Sequence, residues 1–408
     1  MVEPIVFSLS NGIRVVHQPL DREVAHCGIL IGAGSRDEME NEHGLAHFME
    51  HGLFKGTKKR KTFHILSRLD AVGGEINAFT AKEETWIHAS FLKEHFERSI
   101  ELIADITFNA TFPDHEIVKE KEVIVDEINS YKDSPAEMIF EDFDGMLFKN
   151  HPIGRSILGS EASIEKFKSK DLIRFRKRNF TSSNIIFASA GKIDIVKLKL
   201  ILEKYVGSHH LPDSPISRTP FKGYKSFNKT EKKDIHQVHL VMGTKTYSYK
   251  DKKRPALTLL NNILGGPAMN NRLSLNIREK HGIAYHIDST YAPFSDTGVF
   301  SIYLGTDKNN LVKSQDLIWK ELKFFTEKPL SLRQLSDAKK QIIGQIALAQ
   351  DSGSAIMFNL GKSLLLFDKI DSLEDVFKSI EKIDAKQVWD VANEVFDPRR
   401  MSTLTYTY

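Results

Sequence analysis

Cysteine is almost absent from this sequence, because Cys27 is the only one among 408 residues. An intramolecular disulfide is therefore excluded, and the composition is compatible with a reducing compartment. No apolar run approaches the length that a bilayer-spanning helix needs. The first residues, "MVEPIVFSLSNG", lack the basic and apolar regions of a secretory signal. We expect a soluble, cytoplasmic protein that does not enter a membrane.

The charged residues show no excess of one sign, since 57 basic residues face 54 acidic ones and the formal net charge is +3. This balance gives no reason to expect a nucleic acid as a partner. The most basic run, "KGTKKRK" at residues 55–61, is interpreted as a solvated loop that follows a helix. With 41% hydrophobic and 27% charged residues, the chain is otherwise typical of a globular protein.

The hydrophobic pattern indicates two halves with one plan. "IVFSLSNGIRVVHQ" alternates apolar and polar residues around Asn-Gly, which predicts a hairpin. A buried strand, helices and a pair of strands follow, and the second half repeats this order. We predict an α+β fold of two tandem homologous domains, 1–212 and 231–408, joined by a linker, 213–230. Each domain should hold a mixed, largely antiparallel sheet covered by helices.

The repeat provides an internal control on the polar residues of the first half. Aligning the two halves sets His47, Glu50 and His51 against Leu257, Leu260 and Asn261. Aligning the two long helices sets Glu120 and Glu127 against Ala338 and Gln345. The second half keeps the scaffold without these polar residues, so the core does not require them. We infer that they serve a function.

A candidate metal site lies in "EHGLAHFMEHGLFKGT", where three histidines recur every four positions. His47 and His51 would present two imidazoles on one face of a helix, which suits two ligands of a tetrahedral zinc ion. Glu50 lies beside His51 in the order His-x-x-Glu-His. His43 has Ala46 at the equivalent place and is expected near the helix start, in solvent. Two alternatives stay open: a hydrogen-bonded pair of core histidines, and a metal-binding module that uses His43 and His47.

A catalytic zinc needs a third protein ligand, and the helix "DHEIVKEKEVIVDEINSYKD" offers two candidates. Glu120 and Glu127 are seven positions apart, about two helical turns, so they share a face, whereas Glu122 and Asp126 point elsewhere. Acidic residues on a long helix are ordinarily solvated, but the uncharged counterparts in the second half argue against that interpretation here. The residues alone leave the choice between the two glutamates open.

Together, four segments resemble the inverted-zincin peptidases, a family that includes pitrilysin, insulin-degrading enzyme and the mitochondrial processing peptidase. The segments are "GLAHFMEHGLFKGT", "GGEINAFTAKEETWIHAS", "EKEVIVDEI" and "IREKHGIAYHIDSTY". In that family the third zinc ligand is a distant glutamate, and Glu127 lies 76 positions after His51. The resemblance implies that His47, His51 and Glu127 bind one Zn²⁺ per chain. It also implies that Glu50 is the general base on a zinc-bound water and that Glu120 orients a ligand histidine.

The resemblance also implies substrate contacts in both halves. The stretch "NAFT" (Asn77–Thr80), with Asn77, Ala78 and Phe79 as the contacts, matches an edge strand that takes up an extended peptide as an added strand. The alternative for Asn77 is a turn residue after the two preceding glycines. Arg278 and Tyr285 match a pair that lies across the active site and helps to stabilise the oxyanion, with a glycine ending the helix between them. The residues alone favour an arginine at a helix end and a packed tyrosine.

The resemblance thus implies a zinc metalloendopeptidase that hydrolyses oligopeptides and unfolded segments inside a closed chamber, in which a zinc half faces an arginine–tyrosine half. One chain carries both the zinc motif and the arginine–tyrosine pair, so two identical clamshell halves suffice for a homodimeric peptidasome of the short bacterial type. The alternatives are a non-catalytic relative and a partner subunit of a heterodimer like the processing peptidase. The complete set of zinc-site residues argues against the first, and the self-sufficient motifs argue against the second.

Overall fold

The computed structural model describes residues 2–408. The strands are β1 (Ile5–Ser8), β2 (Arg14–Pro19), β3 (Val24–Ile31), β4 (Glu75–Thr80), β5 (Thr85–Leu92), β6 (Ile185–Gly191), β7 (Asn228–Lys232), β8 (Val238–Thr246), β9 (Ala284–Pro293), β10 (Gly298–Thr306) and β11 (Ser402–Thr407). The α-helices are α1 (Leu45–Leu53), α2 (Thr62–Asp70), α3 (Phe96–Asn109), α4 (Asp114–Lys132), α5 (Pro135–Leu147), α6 (Glu161–Ile164), α7 (Ser169–Asn179), α8 (Ile195–Leu202), α9 (Arg254–Gly265), α10 (Leu311–Glu327), α11 (Leu332–Ala349), α12 (Gly353–Phe367), α13 (Leu373–Glu381) and α14 (Ala385–Val395). Every helix within residues 2–408 is too short or too polar to span a bilayer.

The strands form two sheets with one topology, which confirms the α+β class. The first sheet has the order β1-β2-β6-β3-β5-β4 and the second the order β7-β11-β8-β10-β9. One pair in each sheet is parallel, β2 with β6 and β7 with β11, and the remaining pairs are antiparallel. Without β1, the first order matches the second strand by strand, as a tandem duplication would produce.

The chain folds into two compact units, and each unit takes a segment from the other half of the sequence. One unit runs to Asn129 and adds residues 155–218 and 349–370, and the other consists of residues 130–154, 219–348 and 371–408. The predicted domains, 1–212 and 231–408, were continuous, so this exchange corrects their boundaries. The predicted linker, 213–230, is also shorter in the structure, because β7 begins at Asn228.

The exchanged segment 130–154 covers the second sheet for a hydrophobic reason. Its helix α5 buries Ile139, Phe143 and Leu147 in a cluster that includes Val241 of β8. Gly243 allows the close approach, because a Cβ there would lie 3.0 Å from the ring of Phe143. Burial of such apolar side chains is the main favourable term in folding, so the helix belongs to the sheet that it covers.

The segment 349–370 does the same for the first sheet. Its helix α12 buries Met357 and Leu364 in a cluster that includes Leu30 and Trp86. A Cβ on Gly361 would lie 2.6 Å from the indole of Trp86, so helix and sheet are in direct contact at this glycine. The equivalent helices of the two halves, α5 and α12, are therefore exchanged between the units.

Candidate metal centre and general base

Helix α1, which carries the histidines, is fixed at its first turn by a buried carboxylate. Glu38 is 4% exposed and accepts hydrogen bonds from the backbone N–H groups of Gly44 and Ala46, at 3.0 and 2.8 Å. Amides at a helix start have no partner within the helix, so this carboxylate replaces the missing acceptors. The direction in which α1 presents its side chains is thereby tied to the preceding loop.

His43 lies just before α1, and the structure corrects its predicted environment. Its ring is half-buried, and Nε2 lies 3.1 Å from the carbonyl oxygen of Ser156. The histidine is near the helix start, as expected, but it is not solvated. Among residues 2–408, the group of metal-ligating side chains that converge consists of His47, His51 and Glu127 and does not include His43. The alternative metal site at His43 and His47 thus finds no support.

His47 and His51 lie one turn apart on the same side of α1, and their ring centroids are 4.6 Å apart. His47 is 7% exposed, and burial lowers its pKa to about 3, with the charge of His51 acting in the same direction. A neutral imidazole has a lone pair available for a metal ion. The Nδ1 atom of His47 is buried without a hydrogen-bond partner among residues 2–408. A hydrogen-bonded pair of core histidines therefore does not describe this site.

Glu120 on α4 orients His51. Its Oε1 atom accepts a hydrogen bond from Nδ1 of His51 at 2.7 Å, and its Oε2 atom lies 2.6 Å from Nζ of Lys55. Burial alone would raise the pKa of Glu120, but the bonds to His51 and Lys55 outweigh it and lower the pKa. An ionised carboxylate only accepts, so the proton of His51 lies on Nδ1 and its Nε2 lone pair faces away from Glu120.

Glu127 completes a set of donors that fits zinc. Its Oε2 atom lies 3.5 Å from Nε2 of His51 and 3.7 Å from Nε2 of His47. Zinc bonds to nitrogen and oxygen are about 2.0–2.2 Å long, so two corners of a tetrahedron lie roughly 3.3–3.6 Å apart. The two carboxylate–imidazole distances thus match edges of a zinc tetrahedron, and one ligand atom from each of the three residues lies within 4.8 Å of the others. These distances favour Glu127 over Glu120 as the third ligand, and the assignment stays a prediction.

Glu50 lies beside this group and is held by a residue of β4. The hydroxyl of Thr80 donates a hydrogen bond to Oε2 of Glu50 at 2.6 Å. Burial raises the pKa of Glu50, the bond from Thr80 and the charge of His51 oppose the shift, and the charge of Glu127 adds to it. The carboxyl group is therefore within electrostatic reach of His51 and Glu127. A raised pKa makes the carboxylate a better proton acceptor, which suits a general base.

The predicted substrate strand, Asn77 to Phe79, lies in the middle of β4. This strand is the outermost strand at one edge of the first sheet and pairs with β5. The turn alternative for Asn77 is wrong, because the residue is part of the strand and pairs with His88. An edge strand leaves alternate backbone N–H and C=O groups free on its outer side, where a further strand can add.

Arg278 and Tyr285 lie in the second unit, on either side of Gly282. The glycine has φ +63°, and its N–H group bonds to the carbonyl oxygen of Arg278 at 2.8 Å, so it ends the helical segment as predicted. Arg278 contacts the carboxylate of Glu279 at 3.0 Å. Tyr285 is 65% exposed and donates from its hydroxyl to Asp307. A packed tyrosine is therefore excluded, and a role at a shared active site stays a prediction.

Two residues of the site, Lys55 and Thr80, were not predicted to contact it, although Thr80 ends the stretch that resembles the substrate strand. Lys55 follows His51 by four positions, a spacing that could have placed it on the same side, but it was assigned to a solvated basic loop. That interpretation is wrong for Arg60 as well, which contacts Glu101 and Asp105 at 2.7 and 2.6 Å. The contact of Thr80 with Glu50 gave no local signal, because Glu50 lies 30 positions earlier.

Comparisons with known proteins show that this chain is similar to a family of peptidases. The family model described as insulinase, peptidase family M16, matches residues 14–161, and the model described as peptidase M16 inactive domain matches residues 166–342. A relative from Bacillus subtilis named uncharacterized zinc protease YmxG is 32% identical over 96% of this chain and 95% of its own length. An uncharacterized zinc protease from Rickettsia bellii is 32% identical over 98% of this chain and 96% of its own length.

Two solved structures share the fold. A protease from Helicobacter pylori superposes with a TM-score of 0.90 at 22% identity, covering 100% of this chain and 99% of that one. The structure of a peptidase M16 inactive domain from Pseudomonas fluorescens gives a TM-score of 0.91 at 20% identity, covering 99% and 98%. At these identities the likeness concerns the fold alone.

Zinc binding tests the donor set directly. We expect wild-type protein dialysed against zinc to retain about one ion per chain, and His51→Ala and Glu127→Ala to retain almost none, because each removes one of three protein ligands. Glu120→Gln should weaken zinc binding by about 10–100-fold, the usual effect of removing a group that orients a ligand. Elemental analysis and competition with a chromogenic chelator measure both quantities.

His43→Ala is the matched control for these variants, because it removes a histidine from the same segment without touching the converging group. It should bind zinc as the wild type does. Equal loss of zinc in His43→Ala and His51→Ala would contradict the assignment.

Proposed function

The chain belongs to the insulinase family of peptidases, family M16, and we propose that it is a zinc-dependent endopeptidase that hydrolyses oligopeptides and unfolded segments. The observation that carries the proposal is the convergence of His47, His51 and Glu127 beside the carboxyl group of Glu50. The names of the relatives from Bacillus subtilis and Rickettsia bellii, both zinc proteases, support the same chemistry. The single, buried cysteine is compatible with our expectation of a cytoplasmic enzyme.

The chemistry follows from the residues around this centre. His47, His51 and Glu127 would hold the zinc ion, which would supply a Lewis acid for the activation of water and of the scissile carbonyl. Glu50 accepts a proton from the attacking water on a carboxylate oxygen and then donates it to the nitrogen of the leaving amine. Glu120 keeps the proton of His51 on Nδ1 throughout, so that Nε2 stays a ligand. No side chain needs to form a covalent intermediate.

Substrate uptake is proposed at the outer edge of β4. A peptide in extended conformation can pair with the free backbone groups of Asn77, Ala78 and Phe79, as an added strand does. Recognition through the backbone depends little on side chains, so we expect loose sequence preference. Folded proteins cannot offer a free extended segment to this edge, which limits the substrates to peptides and unfolded chain.

Removing the general base tests the proposed reaction. Glu50→Gln keeps the size of the side chain and its position on α1 but cannot accept a proton, so turnover should fall by about 10²–10⁴-fold. Zinc content should stay at the wild-type level, because Glu50 is not a ligand. A mixed peptide pool, incubated with and without chelator and analysed by mass spectrometry, measures the loss.

Glu122→Gln is the control, because Glu122 lies exposed on α4 and the substitution is chemically identical. It should cleave the pool at the wild-type rate. If Glu50→Gln retained wild-type, chelator-sensitive cleavage, the assignment of the base would be wrong.

The assembly that we propose is a homodimer with two active sites in one closed chamber. Each zinc centre would face Arg278 and Tyr285 of the partner subunit, which bind the substrate backbone and stabilise the oxyanion. Two observations support the pair as functional: Tyr285 is exposed, and Arg278 is partly exposed at the end of a helical segment. The complete donor set argues against the alternative of a non-catalytic subunit.

Mixing two inactive variants tests the sharing of residues between subunits. Arg278→Ala should lose about 10²–10³-fold in kcat, as removal of an oxyanion donor does. In a refolded equal mixture with Glu50→Gln, half of the dimers are mixed, and each mixed dimer has one site with both Glu50 and Arg278. Activity should therefore return to about a quarter of the wild-type level.

The control mixture combines Glu50→Gln with the double variant Glu50→Gln/Arg278→Ala and should stay inactive. No recovery in the first mixture, although mass analysis shows mixed dimers, would place Arg278 at the site of its own chain. An active monomer would contradict the dimer itself.

A further inference from the structure

We propose that Thr80 is a positioning residue for Glu50, through which the edge strand β4 holds the general base in its working orientation. This inference rests on the proposed function, since it assigns a role in the same reaction. It concerns a residue outside the metal-ligand set and outside the strand segment proposed for substrate binding.

The hydrogen bond between Thr80 and Glu50 is short, and no second bond holds the carboxyl group of Glu50 in the part of the chain that the structure describes. Oγ1 of Thr80 lies 2.6 Å from Oε2 of Glu50, within the range of a charge-assisted O–H···O⁻ bond. A carboxylate that accepts one short bond on one oxygen keeps its second oxygen for another donor. Thr80 therefore fixes the orientation of the group and leaves Oε1 for the attacking water.

The position of the hydroxyl is itself fixed by the sheet. Thr80 is the last residue of β4 and pairs with Thr85, the first residue of β5. A β-branched side chain has few χ1 rotamers, so the backbone of the strand determines where its hydroxyl lies. Side chains alternate along a strand, so Thr80 and Ala78 share the face toward α1, while Phe79 lies on the other face.

A link between strand and base follows from this arrangement. Glu50 is on α1, and without the bond to Thr80 its long side chain can take several rotamers, of which few direct an oxygen toward water at the metal site. Misplacement of a catalytic group by about 1 Å can cost about 10²-fold in rate. Because the bond touches neither a zinc ligand nor the outer edge of β4, its loss should lower kcat while KM and zinc binding stay close to their wild-type values.

Three variants separate this role from a general structural one. Thr80→Val keeps the shape and removes the hydroxyl, and we expect kcat to fall about 10–100-fold with KM within about twofold. Thr80→Ser restores the hydroxyl and should recover most of the turnover. The matched control is Thr85→Val, which removes a hydroxyl from the paired residue on β5, where it donates to the carbonyl oxygen of Ala33 at 2.8 Å. It should turn over peptides as the wild type does.

Two measurements do not depend on turnover by the variant. On the Glu50→Gln background, a labelled peptide should bind with the same Kd whether residue 80 is Thr or Val, and zinc content should be equal. A crystal structure of Thr80→Val should show the carboxyl group of Glu50 in a rotamer different from that of the wild type.

The outcomes separate this inference from the proposed function. A Thr80→Val enzyme with wild-type kcat, or with the carboxyl group of Glu50 unmoved in the crystal, overturns the role of Thr80 and leaves the peptidase assignment intact. On the Glu50→Gln background, a tenfold rise in the Kd of the labelled peptide on Thr80→Val substitution also overturns the positioning role, because Thr80 would then act on substrate binding. If the wild type showed no chelator-sensitive cleavage, the proposed function would fail, and the crystal comparison would still decide whether Thr80 orients Glu50.

Discussion

The hydrogen bond between His51 and Glu120 is the contact on which the rest of the site depends. A carboxylate buried to this degree is costly unless it is paired, and here His51 and Lys55 each take one of its oxygens. The bond sets both the tautomer of His51 and the register of α4 along α1. Glu127 lies two turns further along α4, so the same register brings its carboxylate to His47 and His51. If α4 were shifted by one turn along α1, the bond between Glu120 and His51 would break. The same shift would move Glu127 away from His47 and His51.

The second half of the chain shows which residues the duplicated fold carries at the positions of the polar site residues. In the second half the counterparts of His47 and Glu50 are Leu257 and Leu260, both fully buried, and the counterpart of Glu120 is Ala338. The duplicated scaffold is thus stable with apolar residues at these positions, and replacing buried ion pairs by apolar residues is often neutral or stabilising. The polar residues of the first half are compensated by one another, as in the bond between His51 and Glu120, and by two further residues, because Lys55 pairs with Glu120 and Thr80 bonds to Glu50.

The sequence predicted those features that have local signals. The Asn-Gly turn, the period of the strands and the glycine at 282 led to elements that the structure contains, and the spacing of His47 and His51 placed both on one face of a helix. The exchange of α5 and α12 had no such signal, because an apolar helix face does not say which sheet it will cover. That choice depends on tertiary fit, such as Phe143 against Gly243. The contact of Thr80 was missed for the same reason, since Glu50 lies 30 positions earlier, whereas the spacing of Lys55 from His51 was a local signal that was not used.

The most direct test of the account is the X-ray absorption spectrum of the zinc-loaded protein at the zinc edge. The account predicts two imidazole nitrogens and a carboxylate oxygen at about 2.0–2.2 Å, and the loss of one imidazole signal in the His47→Ala variant. A zinc environment of oxygen atoms alone, or one that keeps both imidazoles when His47 is removed, would contradict it.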